Sequence, residues 1–292
     1  MTLTERIESR KILILDGATG SQLIARGLSA GECPELWNVS HPEVIKDIAA
    51  SYFTAGSDAV LTNTFGGSLL KLKAYKLESR AYELNFEGAK NAISVKPEGK
   101  FVVGSIGPSG LMLEPFGDIP ADEMTASFAV QVKAMADAGV DGFMLETFTD
   151  LGEIHCAIEA VKENSSLPFF ASMTFSNTPD GHKTMMGVGV KEFVEAMQTA
   201  GALLIGSNCG NGILKMAELA KEFRSVSATA NLMLKANAGE PHLHDGQLCY
   251  SEPPELFASN LKELLRLSPS AVGGCCGTTP EHIKMILQTI SL

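Results

Sequence analysis

The sequence has no long apolar run, no basic excess and no low-complexity tract, and each absence removes a class of function. Near the N-terminus the apolar stretch is four residues, Ile12 to Leu15, and Asp16 follows at once. That is too short for the core of an export signal and far short of the roughly 18 residues a membrane helix needs. No other stretch reaches that length, so a cytoplasmic location is expected. Basic residues number 23 against 34 acidic ones, a formal net charge of −11. A nucleic-acid partner would want a basic stripe and an anionic membrane a basic patch, so neither is an expected partner. No linker rich in Pro, Gly or Ser interrupts the 292 residues, 45% of them hydrophobic. One domain over residues 1–292 is expected, with a large buried core. Gly187-Val188-Gly189 is too little for a nucleotide fingerprint, and no Ser/His/Asp arrangement stands out.

What is present is alternation. Short apolar runs occupy residues 11–15, 58–62, 101–105, 142–146, 169–174, 203–208, 232–236 and 271–274. Helical patterns fill the intervals. His41-Pro42 opens one that ends at Ala55-Gly56, Thr279-Pro280 opens the last, and Asp150 to Glu153 resembles a capping box ahead of Ile154, Ala157, Ile158 and Val161. Ala-Gly recurs before the second, fourth and sixth runs, at Gly56, Gly139 and Gly201, where a left-handed turn can end a helix. Buried strands separated by helices imply parallel βαβ units. Eight of them predict an α/β protein with a closed (β/α)₈ barrel, a TIM barrel, with an open doubly wound sheet as the alternative.

The runs end in polar groups: Asp16-Gly17, Thr62-Asn63-Thr64, Ser105, Glu146-Thr147, Thr174, Asn208-Cys209, Asn237 and Cys275-Cys276. Polar carboxyl ends of strands are where such barrels carry chemistry. Turn preference alone accounts for an Asn or a Thr, but poorly for Glu146 and three cysteines. Cys209 follows the sixth run and Cys275-Cys276 the eighth. Strands two apart in the sheet are roughly 10 Å apart, so inward-leaning thiolates from both can share a zinc ion with bonds of ~2.3 Å. Adjacent cysteines on a regular strand point to opposite faces, so the strand must break, which the flanking Gly273-Gly274 and Gly277 permit. Three thiolates leave one tetrahedral position for a substrate, as in catalytic zinc sites. A thiol bound there becomes a thiolate nucleophile, and no protein nucleophile is required. Inert buried cysteines or a vicinal disulfide remain the alternative.

These motifs together resemble the homocysteine S-methyltransferase family over nearly the whole length. The resemblance rests on LDGATGSQL at 15–23, HPEVI at 41–45, AGSDAVLTNTFG at 55–66, GSIGPSG at 104–110, DGFMLETFTD at 141–150, GSNCGNG at 206–212, KANAGEP at 235–241 and GGCCGTTPEHI at 273–283. It implies a zinc barrel with Cys209, Cys275 and Cys276 as ligands. It also implies homocysteine, or a related thiol, bound through sulfur and methylated to methionine. Glu146 matches the acidic group for the substrate ammonium. Asp16, Gly17, Ala18, Thr19 and Gly20 match the loop that holds the amino-acid end, where backbone N–H groups opening a helix suit a carboxylate. Asn208, Asn237 and Gly239 match positions that shape the pocket.

The family draws its methyl groups from several donors. Its betaine-using branch supplies aromatic rings for a quaternary ammonium. One follows the phenylalanine of the second-strand motif, where this chain has Gly66 after Phe65. The other belongs before the HP pair, where it has Cys33, and Trp37, its one tryptophan, falls elsewhere. TNTFG, ETFTD and NAGEP are closer to the homocysteine-binding module of the cobalamin-dependent branch. No folate-binding, cobalamin-binding or reactivation segment follows the barrel, so the expected donor is a methylcobalamin or other methylcorrinoid on a separate protein. A self-sufficient enzyme using S-methylmethionine or S-adenosylmethionine, and a zinc-holding docking subunit for a corrinoid protein, are the alternatives. His242-Leu243-His244 ahead of Asp245-Gly246 reads as a solvated turn, His155 and Cys156 as packing or surface residues, and Cys33 and Cys249 as structural or free thiols.

Overall fold

The computed structural model describes residues 1–244 and 247–291. Eight parallel strands form the sheet: β1 (Leu13–Ile14), β2 (Ala59–Leu61), β3 (Phe101–Ile106), β4 (Gly142–Phe148), β5 (Phe169–Met173), β6 (Leu204–Gly212), β7 (Leu232–Asn237) and β8 (Ala271–Gly274). Their order is β1-β8-β7-β6-β5-β4-β3-β2. A parallel bridge from Leu15 to Ala59 joins the two ends, and the Asp58 amide donates to the Ile14 carbonyl at 2.7 Å. The sheet therefore closes into the expected (β/α)₈ barrel, and the open-sheet alternative is excluded.

Strand alternation sorts the core into two shells. Ile14, Val60, Val102, Phe143, Leu145, Ala171, Ile205, Leu234 and Val272 face outward and pack with the surrounding helices. Leu13, Leu15, Ala59, Leu61, Phe101, Val103, Met144, Phe170, Leu204, Met233 and Ala271 point into the barrel. Leu3 and Ile7, on the short helix Leu3–Glu8, belong to the same inner cluster and plug its amino-terminal end. Arg6 pins the plug, donating to the carbonyls of Lys11 and Ile12 and pairing with Asp58 at 2.8 Å.

Two residues further along four of these strands, and four further along β6, the same inward column turns polar: Ser105, Glu146, Ser172, Lys235 and Asn208, all buried. An apolar barrel floor thus carries a polar layer at its carboxyl end, and the chemistry has nowhere else to sit.

The helix ends follow the expected signals. Gly56, Gly139 and Gly201 cap their helices with φ of 113°, 97° and 82°. Two local expectations fail. Asp150 caps the helix Leu151–Asn164 by accepting from the Glu153 amide, but the Glu153 carboxylate does not reach back. It is buried instead against the amide and hydroxyl of Ser109, because a buried loop amide is a better partner than an already solvated cap. The loop after β5 folds into a hairpin, Ser176–Thr178 with Gly181–Lys183. A second hairpin pairs Pro241–His244 with Gln247–Tyr250. His242 and His244 therefore lie on a strand rather than in the expected turn, and Asp245-Gly246 lie outside the described residues. Among the described residues, no helix is long and apolar enough to cross a membrane.

Candidate active site

The strands that carry the cysteines are irregular where the chemistry needs them to be. In β6 the pairing with β7 breaks between Asn208 and Gly212, and Cys209 inside that bulge takes a left-handed φ of 62°. Strand β8 stops at Gly274, so Cys275 and Cys276 leave the sheet together. Gly277 follows with φ 80°, and any side chain there would run into the ring of Tyr250. The expected strand break is present, displaced to just past the last strand residue. A bulge re-aims side chains, and the result is that the sulfurs of Cys209, Cys275 and Cys276 lie within 4.8 Å of one another.

The fit to a metal is a matter of donor chemistry and spacing. Cys209 Sγ and Cys276 Sγ are 3.6 Å apart. Two sulfurs on a tetrahedral ion with ~2.3 Å bonds sit about 3.8 Å apart. All six cysteines are free thiols, the adjacent Cys275 and Cys276 among them. Within the cluster, hydrogen bonds from Cys209 and then Cys275 hold the Cys276 thiol far below its ordinary range, at about 3. Contacts with Cys275 and then Cys276, together with burial, push the Cys209 thiol up. Three convergent thiols are a donor set suited to a soft or borderline cation such as zinc.

Asn208 braces this arrangement. Its Oδ1 accepts from the Thr147 amide at 2.8 Å and from the Ser172 hydroxyl. Its Nδ2 donates to Thr147 Oγ1 at 2.7 Å and approaches Cys275 Sγ at 3.8 Å. Thr147 itself has φ 67°, and β4 is irregular between Leu145 and Phe148. A β-branched residue is costly in that conformation. The two part-buried hydrogen bonds between Thr147 and Asn208, one in each direction, hold it there, which leaves Glu146 facing inward.

A cavity of about 290 Å³ opens onto the cysteines. Gly17, Ala18, Thr19, Gly20, Glu146, Cys209, Cys275 and Cys276 line it, as does Lys235. Asp16, Asn208 and Asn237 are buried behind the wall. Asn237 Oδ1 is buried with no hydrogen-bond partner. Glu146 Oε1 accepts from Ser105 Oγ at 2.6 Å. Burial pushes the Glu146 carboxyl up to about 7, against the pull of Lys235. Of the loop amides, that of Ala18 is already committed to Thr278 Oγ1 at 3.2 Å, and the helix that follows, Thr19–Ala25, is only 7 residues long. Outside the cluster, Cys33 is buried and donates to Glu35 at 3.2 Å, Cys156 is buried in a helix and His155 is exposed.

Three residues of the site have no role that the sequence motifs suggest. Lys235 is fully buried and pairs with Asp16 at 2.9 Å. Thr147 and Tyr250 complete the surroundings, and the Tyr250 phenol is pushed up by burial and by the charge of Cys276. Lys235 did leave a signal. It is a charged residue inside the apolar run 232–236, two places after the inward-facing Met233, so alternation turns it into the barrel.

Comparison with known proteins places this geometry in context. A family model described as "Homocysteine S-methyltransferase" matches residues 13–290. Methionine synthase of Mycobacterium tuberculosis is 30% identical over 303 aligned residues, covering 97% of this chain and 25% of that protein. The Mycobacterium leprae methionine synthase is 29% identical, with 97% and 24% covered. The chain thus spans about a quarter of the length of the curated relatives it matches. Among solved structures, the metallated form of the homocysteine methyltransferase MmuM from Escherichia coli superposes with a TM-score of 0.77 at 22% identity, covering 96% of each chain. At that identity the likeness establishes the fold.

Proposed function

The chain belongs to the homocysteine S-methyltransferase family, and on that premise we propose that it methylates the thiol of homocysteine to give methionine, with zinc held by Cys209, Cys275 and Cys276. One observation carries the proposal. Three cysteine sulfurs from two strands converge within 4.8 Å, on the wall of a cavity that also holds Glu146. A zinc ion in that site would keep the substrate thiol deprotonated and nucleophilic at neutral pH.

The chain's own residues do the rest. Glu146, as carboxylate, receives the substrate ammonium. The loop of residues 16–20 bounds the amino-acid end, with Gly17, Ala18 and Thr19 at the cavity wall. Asn208 holds Thr147 and Cys275 in place, and the Ala236 carbonyl accepts from the Cys275 amide at 2.7 Å. The sulfur then faces the open carboxyl end of the barrel, where a methyl donor must be presented in line. Most of the rate advantage is positioning of a preformed nucleophile. The donor we propose is a methylcorrinoid carried on another protein or segment, in keeping with the much longer methionine synthases that this chain matches over a quarter of their length.

The test is zinc content of the purified protein with and without homocysteine, then parallel assays with free methylcobalamin and S-methylmethionine. Transfer from methylcobalamin alone supports the corrinoid donor. Transfer from S-methylmethionine replaces it with a sulfonium donor, and a zinc-free protein overturns the metal assignment.

Asn208→Ala provides a sharper check on the brace. Removing a residue that orients metal ligands typically costs 10–100-fold in metal affinity, and a loss in that range is expected in competition with a chromophoric chelator. Unchanged affinity would make Asn208 a residue of the fold alone.

A further inference from the structure

The site contains one charge that neither thiol activation nor the ammonium contact uses. Lys235 is 2% exposed and sits on β7 between the two strands that bear the cysteines, paired in register with Asn208 on one side and Gly273 on the other. Burial acts to discharge it. The carboxylates of Asp16 and then Glu146 outweigh that and hold it charged, above its ordinary range. An ammonium has three donors. Among the described residues one acceptor is in reach, Asp16 Oδ1 at 2.9 Å. Asp16 is itself anchored, because its Oδ2 accepts from the Leu61 amide at 2.7 Å. A buried cation with unfilled donors therefore borders the cavity on the same polar layer as Glu146.

We propose that Lys235 is a substrate-binding residue that receives the α-carboxylate of the acceptor thiol. The proposal rests on the reading of homocysteine as that acceptor. The first loop alone is a weak carboxylate holder: its Ala18 amide is occupied, and a backbone amide offers a partial charge where Lys235 offers a full one. Glu146 and Lys235 present opposite charges to one cavity. That pair is complementary to the ammonium and carboxylate of an α-amino acid and selects it over a simple alkyl thiol. An interaction with a desolvated charge left unpaired in the competing complex discriminates strongly.

The experiment compares two thiols on the zinc-loaded full chain by isothermal titration. Homocysteine has the carboxylate, and 3-aminopropane-1-thiol is the same molecule without it. The unmodified protein is expected to prefer homocysteine by about tenfold or more. Lys235→Met is expected to bring the two affinities to within about threefold while the aminothiol affinity holds. Since Lys235→Met strands the buried Asp16 charge, the double variant Asp16→Asn/Lys235→Met is measured beside it. A preference that survives in both variants overturns the proposal and leaves Lys235 as an ion-pair partner of Asp16. If the unmodified protein binds the aminothiol and not homocysteine, the homocysteine reading falls, and this proposal with it.

Discussion

Cys209→Ala should release the metal and stop methyl transfer together. The cluster contains three sulfurs and, among the described residues, no fourth His, Cys, Asp or Glu donor close enough to join it. Losing one leaves two thiolates, fewer than the three protein ligands that a catalytic zinc site keeps. A purified variant should fall from about one zinc per chain to a small fraction, and turnover with homocysteine should drop by on the order of 10³-fold or more. Folding itself should survive, because Cys209 lies in a bulge at the barrel mouth and is half-buried. Far-UV circular dichroism would verify that. Cys249→Ala is the control. That thiol lies on the 241–250 hairpin outside the cluster, and its loss should leave zinc content unchanged. Full zinc and full rate in Cys209→Ala would end the metal reading.

The second large effect belongs to Glu146, and it runs in opposite directions for binding and for stability. Glu146→Gln keeps the shape and the contact with Ser105 but cannot carry charge. Loss of a desolvated ion pair with the substrate ammonium, about 2–3 kcal/mol, should raise KM for homocysteine by about 10²-fold, with a smaller change in kcat. The stability sign follows from the raised carboxyl. In the folded protein it titrates at about 7, against an ordinary 4.5. Between these values the folded state holds a proton the unfolded state has lost. The stabilisation is therefore fully present below about 4.5 and is lost as pH rises through about 7. Metal-free wild type should lose stability between pH 5 and pH 8 by on the order of 3 kcal/mol at this group. Glu146→Gln should escape that loss, so it should be the more stable protein at pH 8 and nearly equal at pH 5. Urea unfolding at the two values measures it, and a parallel pH response in both proteins would show that Glu146 is not the titrating group. Together the two effects describe a carboxylate retained at the expense of the fold for what it binds.

Much of this was legible in one dimension because barrels are built from local rules repeated eight times. Apolar runs at the right spacing, Gly after Ala at three helix ends and Pro at two helix starts each specify their own segment. The strand ends of residues 142–148 and 204–212 announce the functional face, because turn preference accounts poorly for Glu146 and Cys209 at the ends of buried strands. The cysteines were legible for the same reason. Position on strands six and eight brings them to one side of the barrel whatever the details of the loops.

What the sequence determined by itself was thus the fold, the face to which the polar strand ends point and the three cysteines that converge there. Tertiary structure alone decided how the polar layer is wired. Glu153 left its expected cap for Ser109, 44 positions away, and Lys235 found Asp16 across 219 positions. The left-handed turn at Thr147 depends on Asn208, whose hydrogen bonds to Thr147 cross 61 positions. Local propensity governs segments whose neighbours in space are neighbours in the chain. A buried charge or a strained backbone is stable only with partners that closure of the barrel supplies, and those partners are far away in the chain until the barrel forms.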